Sequence, residues 1–517
     1  MQPDTIFEAF KHIEVARASV TSSISINPSS AYTNMSRASF ASKDVAQDLW
    51  RYLNLPANSL QSLNFPGAGQ KVFPSSFKIS HIAQGTVGIS ALAAATVHAL
   101  RNNTEVPKVT VPAEHVVWEF LSEQLYRIDG KPPVSAWGPI GGLHKTMDGY
   151  VRIHDNFLNH RNAALSCLGL PESANRDDVA KRCLEWKSLD LEAEGFRRKG
   201  VIAALRTYDE WDATPQAKAV LDYPVRVRKI KEGPKYMSSR MGPGNDRCLR
   251  GLRVLEFSRI IAAPVAGKTL AAHGADVLWI TSPNLPDLPM LDREFSKGKK
   301  TVQLDLTKPE DRERLLDLAK ETDIFINGYR PGGIAGLGFS ADELVKANSN
   351  IIVANLSGYG PEGPWAQNRG FDSLVQTCSG MNISEAEHYG AGEPAKATPC
   401  QVLDHGAGYL LAFGIIAAVY KRAVEGGAYV VDVSLAGVMK YLRSLGQYEG
   451  NTGFEGEDVV VLKDRARIRE RISPLLQYKV GVLGEMEFLR HSATVEGAKP
   501  GWDIMPKPLG SDEAKWE

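Results

Sequence analysis

The sequence has few cysteines and no excess of charge of either sign. Its five cysteines are scattered over 517 residues without a Cys-x-x-Cys pair, so neither a disulfide framework nor a zinc site is predicted. Lys plus Arg and Asp plus Glu both number 60, a balance that favours neither a nucleic-acid nor a membrane surface. The longest apolar runs, such as that from Tyr409 to Tyr420, are too short to span a bilayer and suit a buried helix.

Targeting and dinucleotide-binding motifs are also missing. The first residues lack the basic start and apolar core of a secretory signal, and the final Lys515-Trp516-Glu517 is not a peroxisomal tripeptide. We therefore expect a cytoplasmic protein, with a mitochondrial location as the alternative. No Gly-x-Gly-x-x-Gly follows the first strand of the predicted sheet, which disfavours dinucleotide binding.

The length and the changes in composition predict several domains. Residues 1–74 are polar and rich in Ser, Asn and Pro, and we expect them to be loosely structured. Residues 75–235 form a first unit, a Gly/Pro-rich linker covers 236–250, and residues 446–517 are a C-terminal extension. Between them, residues 251–445 alternate strand and helix, which predicts an α/β fold with a doubly wound parallel sheet.

A weak internal repeat relates the two units. Residues 79–111 align with 402–433, and each copy is a small-residue helix followed by a strand. Gly85 falls over Gly408, and His81 falls where the second copy has Asp404. Two Ala-rich helices can also align through composition alone.

Five ordered segments carry a family resemblance. They read RGLRVLEFSRIIAAPVAGKTLAAHGADVLWI, FSKGKKTVQLDL, DIFINGYRPGGIAGLGFS, NIIVANLSGYGPEGPWAQNRGFDSLVQTCSG and PCQVLDHGAGYLLAFGIIAAVYKR. In this order over 250–445 they resemble the family III (CaiB/BaiF) CoA transferases, a group that also includes the α-methylacyl-CoA racemases. The resemblance implies a Rossmann-like large domain and a smaller α+β domain.

The first unit resembles the other half of the same family. GPIGGLHKTMDGYVRIHDNF is similar to the turn and strand of its small domain, and RTYDEW to a late helix. The half that usually comes second therefore comes first here, which suggests a fused and truncated double copy with a degenerate first unit.

Asp404 matches the catalytic aspartate of the family. The resemblance implies that its carboxylate attacks an acyl-CoA thioester, passes through an anhydride and an aspartyl-CoA thioester, and hands CoA to an acceptor acid without ATP. Asp404 also stands just before the helical run His405 to Arg422, where an aspartate is a favoured N-cap. We expect the helix N-terminus, with Gly406 and Gly408, to bring backbone N–H groups close to the substrate oxygen.

The phosphates of CoA require basic residues. The Tyr-Arg-Pro-Gly loop supplies Arg330, whose planar fork suits phosphate. A turn that contains glycine is expected to expose three lysines together to the CoA phosphates, and they are Lys297, Lys299 and Lys300. The alternative is that these lysines form an ordinary solvated charge run without a binding role. Small residues after the first strand resemble the turn that approaches the CoA thioester, and they are Ala262, Ala263 and Pro264.

Substrate-pocket candidates follow from the same motifs. They include Ile261, where formyl-CoA transferases have Gln, and Phe371-Asp372, where racemases have His-Asp. Phe371 cannot exchange a proton, which disfavours two-base racemisation, and Ile261 argues against oxalate or formate as substrate. The loop at Gly141-Gly142 is either a cover over the site or an ordinary turn.

The alternatives are a racemase or epimerase that pairs Asp404 with His405 or His81, and a non-catalytic CoA-binding scaffold. We expect no metal and no tightly bound cofactor, with CoA as a substrate. The expected partners are acyl-CoA and carboxylic acid molecules, without nucleic acid or membrane, in a homodimer.

Overall fold

The computed structural model describes residues 37–517, and its first half consists of short elements around one long helix. The helices of this half are α1 (Ser42–Tyr52), α2 (Ile79–Asn102), α3 (Ala113–Glu119), α4 (Ser122–Leu125), α5 (Leu158–Cys167), α6 (Arg176–Cys183), α7 (Ser188–Arg197), α8 (Tyr208–Asp212) and α9 (Pro215–Ala219). Its strands are β1 (Leu63–Asn64), β2 (Val109–Thr110), β3 (Arg127–Ile128), β4 (Gly142–Lys145), β5 (Tyr150–Ile153), β6 (Ile202–Ala204) and β7 (Val225–Lys231).

Residues 253–357 of the second half alternate strand and helix, as the sequence predicts. Its strands are β8 (Arg253–Phe257), β9 (Asp276–Thr281), β10 (Lys300–Gln303), β11 (Ile324–Asn327), β12 (Ile352–Ser357), β13 (Ala428–Ser434), β14 (Leu476–Gly481), β15 (Gly484–Leu489) and β16 (Thr494–Val495). Its helices are α10 (Ala262–Ala272), α11 (Pro289–Phe295), α12 (Pro309–Lys320), α13 (Ala341–Ala347), α14 (Asp372–Cys378), α15 (Met381–Tyr389), α16 (Val402–Glu425), α17 (Leu435–Ser444) and α18 (Arg465–Ile472).

The large sheet of the described residues has the strand order β10-β9-β8-β11-β12-β13-β7. All neighbours are parallel except β7, which is antiparallel to β13. Counted from β8, the parallel strands run 3-2-1-4-5-6, so the order reverses between β8 and β11. Such a reversal opens a crevice at the carboxyl ends of these two strands. The predicted α/β class with a large parallel sheet is confirmed, and the turns after β8 and β11 border the crevice.

The two sequence units share this sheet. Strand β7 lies before the predicted linker, yet it forms the edge of the sheet built by the second unit. A smaller antiparallel sheet, β4-β5-β6, packs with α5, α6 and α7 around its own hydrophobic core, which includes Val151 and Leu165. The division into two domains and their boundaries stays a prediction, and residues 37–517 cluster as one unit.

The segment before α2 is more ordered than expected. Residues 1–36 lie outside the described residues, but the expected loose packing does not hold for 37–74. Helix α1 buries Val45 and Trp50 completely. In the C-terminal extension, β15 pairs with β3 and β16 with β2, so two strands of this extension are anchored on the first half.

Helices α2 and α16 reproduce the internal repeat. Each spans 24 residues, and the residues before them have similar backbone angles, φ −76° and ψ 57° at Lys78 and φ −78° and ψ 67° at Gln401. His81 and Asp404 are both the third helical residue. The two helices pack against each other, and Gly85 faces α1 as Gly408 faces α10. The structure thus supports a duplicated helix pair rather than a chance match of composition.

By length and composition alone, both helices are long and apolar enough to cross a membrane. Their apolar windows are 94% buried in α2 and 100% buried in α16. They therefore form the centre of the core, where small residues allow neighbouring helices to approach closely.

Gly408→Ala is expected to destabilise the protein by about 1–2 kcal/mol. A Cβ there would lie 2.5 Å from the Ala262 carbonyl oxygen and 2.5 Å from Val265 Cβ. The overpacking cost of about 1–3 kcal/mol outweighs the gain of about 1 kcal/mol from replacing a helical glycine. Urea unfolding would measure it, with Gly242→Ala as control, because a Cβ at Gly242 meets nothing within 4 Å. Equal midpoints for the two variants would contradict this account of the helix contact.

Candidate active site

Two cavities meet at Asp404. The first, here the carboxylate cavity, has a volume of about 480 Å³, and its wall includes Glu123, Asp372 and Asp404. The second, here the arginine cavity, has a volume of about 230 Å³, and its wall includes Arg259, Arg330 and Arg369. Four residues line both cavities, and they are Ile260, Ile261, Phe371 and Asp404.

Asp404 lies inside its helix rather than before it. Helix α16 begins at Val402, and Gln401 occupies the N-cap position without a side-chain cap hydrogen bond. The cap comes from elsewhere: Asp372 Oδ2 accepts hydrogen bonds from the backbone N–H groups of Leu403 at 2.8 Å and Asp404 at 3.0 Å. The prediction that Asp404 is the N-cap is therefore wrong, and its carboxylate is left free for other chemistry.

A hydrogen-bonded chain holds Asp372 in place. Gln376 Nε2 donates to Asp372 Oδ1, while Gln376 Oε1 accepts from Asn382 Nδ2 at 3.0 Å and from Thr398 N at 3.1 Å. Because each polar group of the Gln376 amide has a partner, its orientation is defined. The position of Asp404 is thereby tied to α14 and α15.

Burial and like charge raise the pKa values of the carboxylates. The pKa of Asp404 lies well above its usual value because the side chain is desolvated, and because Asp372 and Glu123 add negative charge nearby. Burial also raises the pKa of Asp372 to about 6, although the N–H groups it accepts from oppose the shift. Glu123 comes from the first half of the chain and contacts His405 Nε2 at 3.1 Å.

The helix glycines have a packing role. Gly408 abuts α10, and Gly406 faces the side chain of Val438. The first N–H groups of α16 are already bonded to Asp372. The expectation that this helix end presents free N–H groups to a substrate oxygen is therefore not met.

Three arginines converge on the arginine cavity. Their described hydrogen bonds go to backbone carbonyl oxygens rather than to carboxylates, from Arg259 to Pro286, from Arg330 to Gln367 and from Arg369 to Lys199. Such a cluster has donors and positive charge available for an anion.

The positive charges of these arginines also act on a neighbouring histidine. The pKa of His160 falls to about 3, first because of burial and then because of the positive charges of Arg369, Arg259 and Arg330. His160 lines this cavity, and its imidazole is neutral because its pKa is so low. The arginines are close enough together to act on one group.

The turn after β8 brings the backbone to the junction of the cavities. Ile260 has φ 74°, a left-handed conformation that a β-branched residue rarely adopts. Ala262 and Ala263, which follow, line the arginine cavity, whereas Pro264 directs its carbonyl oxygen to Lys299 Nζ at 2.9 Å. Strain at Ile260 is a sign that this turn is shaped for a ligand rather than for stability.

The predicted lysine cluster is not exposed. Lys297 is fully buried and pairs with Glu294 at 2.8 Å, and Lys299 is 1% exposed and pairs with Glu256 at 2.8 Å. Lys300 pairs with Asp276 at 3.5 Å and with the final residue, Glu517. The prediction that the turn presents them together is wrong, because tertiary packing supplies each with a carboxylate.

The glycines considered as a cover over the site do not border it. Gly141 and Gly142 line neither cavity, and Gly141 packs against Asp155. The segment Pro132–Trp137 lines the carboxylate cavity instead. Phe371 stacks on His154 with ring centroids 4.2 Å apart, so the aromatic residue in the racemase position is part of the wall.

Sequence reasoning missed several wall residues. Arg259 and Arg369 stand directly before two of the motif turns, and a search for basic residues at those turns would have found them. Glu123 and His154 carried no such signal, because packing of the first half against α16 places them in the cavity. Of the alternative bases, His81 lines neither cavity, and His405 is paired with Glu123.

Comparison with known proteins identifies the class. Residues 249–458 match the model of CoA-transferase family III. An acetyl-coenzyme A transferase of Hypoxylon pulicicidum is 33% identical over 379 residues, which are 68% of this chain and 63% of the relative. A probable fatty acyl-CoA transferase of Mycobacterium tuberculosis is 34% identical over 36% of this chain and 50% of the relative. A solved CaiB/BaiF protein from Brucella suis is 24% identical, covers 47% of this chain and 65% of its own, and has a TM-score of 0.34.

Residues 249–458 therefore belong to CoA-transferase family III, the CaiB/BaiF group. The chain spans 63% and 50% of the lengths of the two curated relatives named above. The family segment contains Asp372, Asp404 and the three arginines of the arginine cavity, and the first half supplies Glu123.

Asp404→Asn is expected to stabilise the protein relative to the wild type by an amount that grows as pH rises above about 4. The pKa of Asp404 is raised in the folded state, so its stabilising protonated form is lost as pH rises from the unfolded value, about 3.9, towards the folded one. The wild type then loses up to about 1.4 kcal/mol per pH unit, and asparagine avoids this loss. Urea unfolding at several pH values would measure it, with Asp190→Asn as an exposed control. A difference that does not change with pH would contradict the raised pKa.

Proposed function

We propose that this protein is a CoA transferase that moves CoA from an acyl-CoA thioester to a carboxylic acid, with Asp404 as nucleophile. The observation that carries the proposal is the position of Asp404 in the wall between two cavities. One cavity offers arginines to an anionic ligand, and the other offers space for an acyl group. A thioester bond that lies across this junction would have its carbonyl carbon beside Asp404.

Each step of the proposed transfer is balanced. Asp404 attacks the thioester carbonyl, the C–S bond breaks, and CoA leaves as the thiolate with a mixed anhydride behind it. The thiolate attacks the aspartyl carbonyl, which releases the donor acid and leaves an aspartyl-CoA thioester. The acceptor carboxylate attacks this thioester, which forms a second anhydride and releases the CoA thiolate. The thiolate then attacks the acceptor's carbonyl carbon, which gives the new acyl-CoA and frees the Asp404 carboxylate.

The environment of Asp404 suits this nucleophile. Burial and the charges of Asp372 and Glu123 raise its pKa, so the anion is more basic than an exposed carboxylate and gains by reacting with the neutral thioester. Asp372 holds the helix end while it keeps its own carboxylate occupied. The arrangement therefore separates the reacting carboxylate from the one that positions it.

The alternative reaction is racemisation with a second base. His154 is the histidine that lines the carboxylate cavity with Asp404, but burial lowers its pKa to about 3. An imidazole with so low a pKa holds a proton poorly and is a weak base for C–H abstraction. Transfer is therefore favoured over racemisation.

Incubation with an acyl-CoA is expected to form one covalent adduct per chain on Asp404. Hydroxylamine or borohydride would trap it, and peptide mass spectrometry would locate it. A 2-methylacyl-CoA in D₂O should gain no deuterium at its α-carbon, because transfer breaks no C–H bond. Rapid deuterium uptake without an adduct would favour racemisation, and neither signal with any acyl-CoA would favour a non-catalytic scaffold.

Asp404→Asn should abolish the adduct and the exchange. The matched control is His81→Asn, which changes the equivalent position of α2, outside both cavities. The control should retain exchange. Full activity of Asp404→Asn in a folded protein would refute the proposed nucleophile.

Arg330→Gln is expected to raise the KM for acyl-CoA by about ten- to a hundredfold. The side chain lines the arginine cavity, and loss of a charge-assisted contact to phosphate costs about 1.5–3 kcal/mol. The KM for the acceptor acid should change far less. Steady-state kinetics would compare it with Arg314→Gln, an exposed arginine of α12. Equal effects on both substrates would indicate that Arg330 has a structural role.

A further inference from the structure

Three arginines also line the carboxylate cavity. Arg127 begins β3, and Arg465 and Arg469 lie on α18. Ile468 and Ile472 of the same helix line the cavity too. Residues with spacings of three, four and seven lie on one helical face, so α18 turns both charge and apolar surface towards the cavity.

These arginines outnumber their carboxylate partners. Glu487 pairs with Arg469 and lies 4.0 Å from Arg127, whereas Arg465 forms no ion pair within residues 37–517. The pKa of Arg469 is lowered by burial and by the nearby charge of Arg127, so the two guanidinium groups repel each other. An anion placed among the three would relieve this repulsion.

Arg127, Arg465 and Arg469 are not among the charges that shift the pKa of Asp404. The charges that act on Asp404 come from Asp372 and Glu123, and no arginine offsets them. Other parts of the wall are apolar and include Pro132, Pro133 and Trp137. The cavity therefore combines a reactive carboxylate, an apolar stretch of wall and a cationic cluster.

We infer that the acid transferred by this protein carries a second carboxylate, which Arg127, Arg465 and Arg469 bind while the first reacts at Asp404. The inference rests on the proposed function and narrows its substrate to dicarboxylic acids with an apolar chain. The arginine cavity already offers a separate site to the phosphates of CoA. A volume of about 480 Å³ is within the usual range for a small-molecule pocket.

Matched donors that differ in one group would test the inference. The full chain is assayed with butanoyl-CoA against succinyl-CoA, hexanoyl-CoA against adipoyl-CoA, and octanoyl-CoA against suberyl-CoA. We expect kcat/KM to favour the dicarboxylic member of at least one pair by tenfold or more. In Arg465→Gln, and in Arg465→Gln combined with Arg469→Gln, this preference should fall about tenfold for each charge-assisted contact removed.

The control and the contrary outcomes are distinct. Arg467→Gln changes an exposed arginine of the same helix outside the cavity, and it should keep the preference. A wild-type preference for the monocarboxylic member at every length would overturn the inference. So would an equal loss for both members in the variants, which would mean that these arginines bind CoA itself.

Direct binding separates this inference from the proposed function. Titration calorimetry of the wild type with succinate, adipate and suberate needs no turnover. Tighter binding of one diacid than of the monoacid of equal length, lost in Arg465→Gln with Arg469→Gln, would support the inference even if no CoA exchange occurred. No difference between diacids and monoacids would overturn it even if exchange did occur.

Discussion

The carboxylate of Asp372 accepts the backbone N–H groups of Leu403 and Asp404, and the geometry of the site depends on this contact. It fixes the first turn of α16 and so the direction of Asp404, while Gln376 fixes Asp372 in turn. Two buried carboxylates so close together raise each other's cost of ionisation. The larger increase in pKa falls on Asp404, the carboxylate that we propose as the nucleophile.

The site is completed by both halves of the chain. The family segment contributes Asp404, Asp372 and the arginine cavity, whereas the first half contributes Glu123 and the segment Pro132–Trp137. Packing of α2 against α16 holds the halves together. Gly85 and Gly408 let these two helices also pack closely on α1 and α10, because a Cβ at either glycine would clash with the neighbouring helix.

The alternating strands and helices of residues 253–357 could be predicted from sequence because each has a local pattern. Ile261, Arg330 and Asp404 could be predicted for the same reason, since each stands in a contiguous motif at a strand or helix end. Lys297 and Lys299 were misjudged because the carboxylates that bury them, Glu294 and Glu256, are brought by tertiary contacts. Glu123 could not be predicted as a site residue, because it is distant in sequence from every motif and enters the site through packing alone.

The packing of α2 against α16 also has a consequence for how the site depends on protein concentration. The first half supplies Glu123 and the segment Pro132–Trp137 to the carboxylate cavity, and the second half supplies Asp404. The two halves are covalently joined, so the effective concentration of one half at the other does not depend on how much protein is present. The share of the site that the first half supplies should therefore be independent of protein concentration.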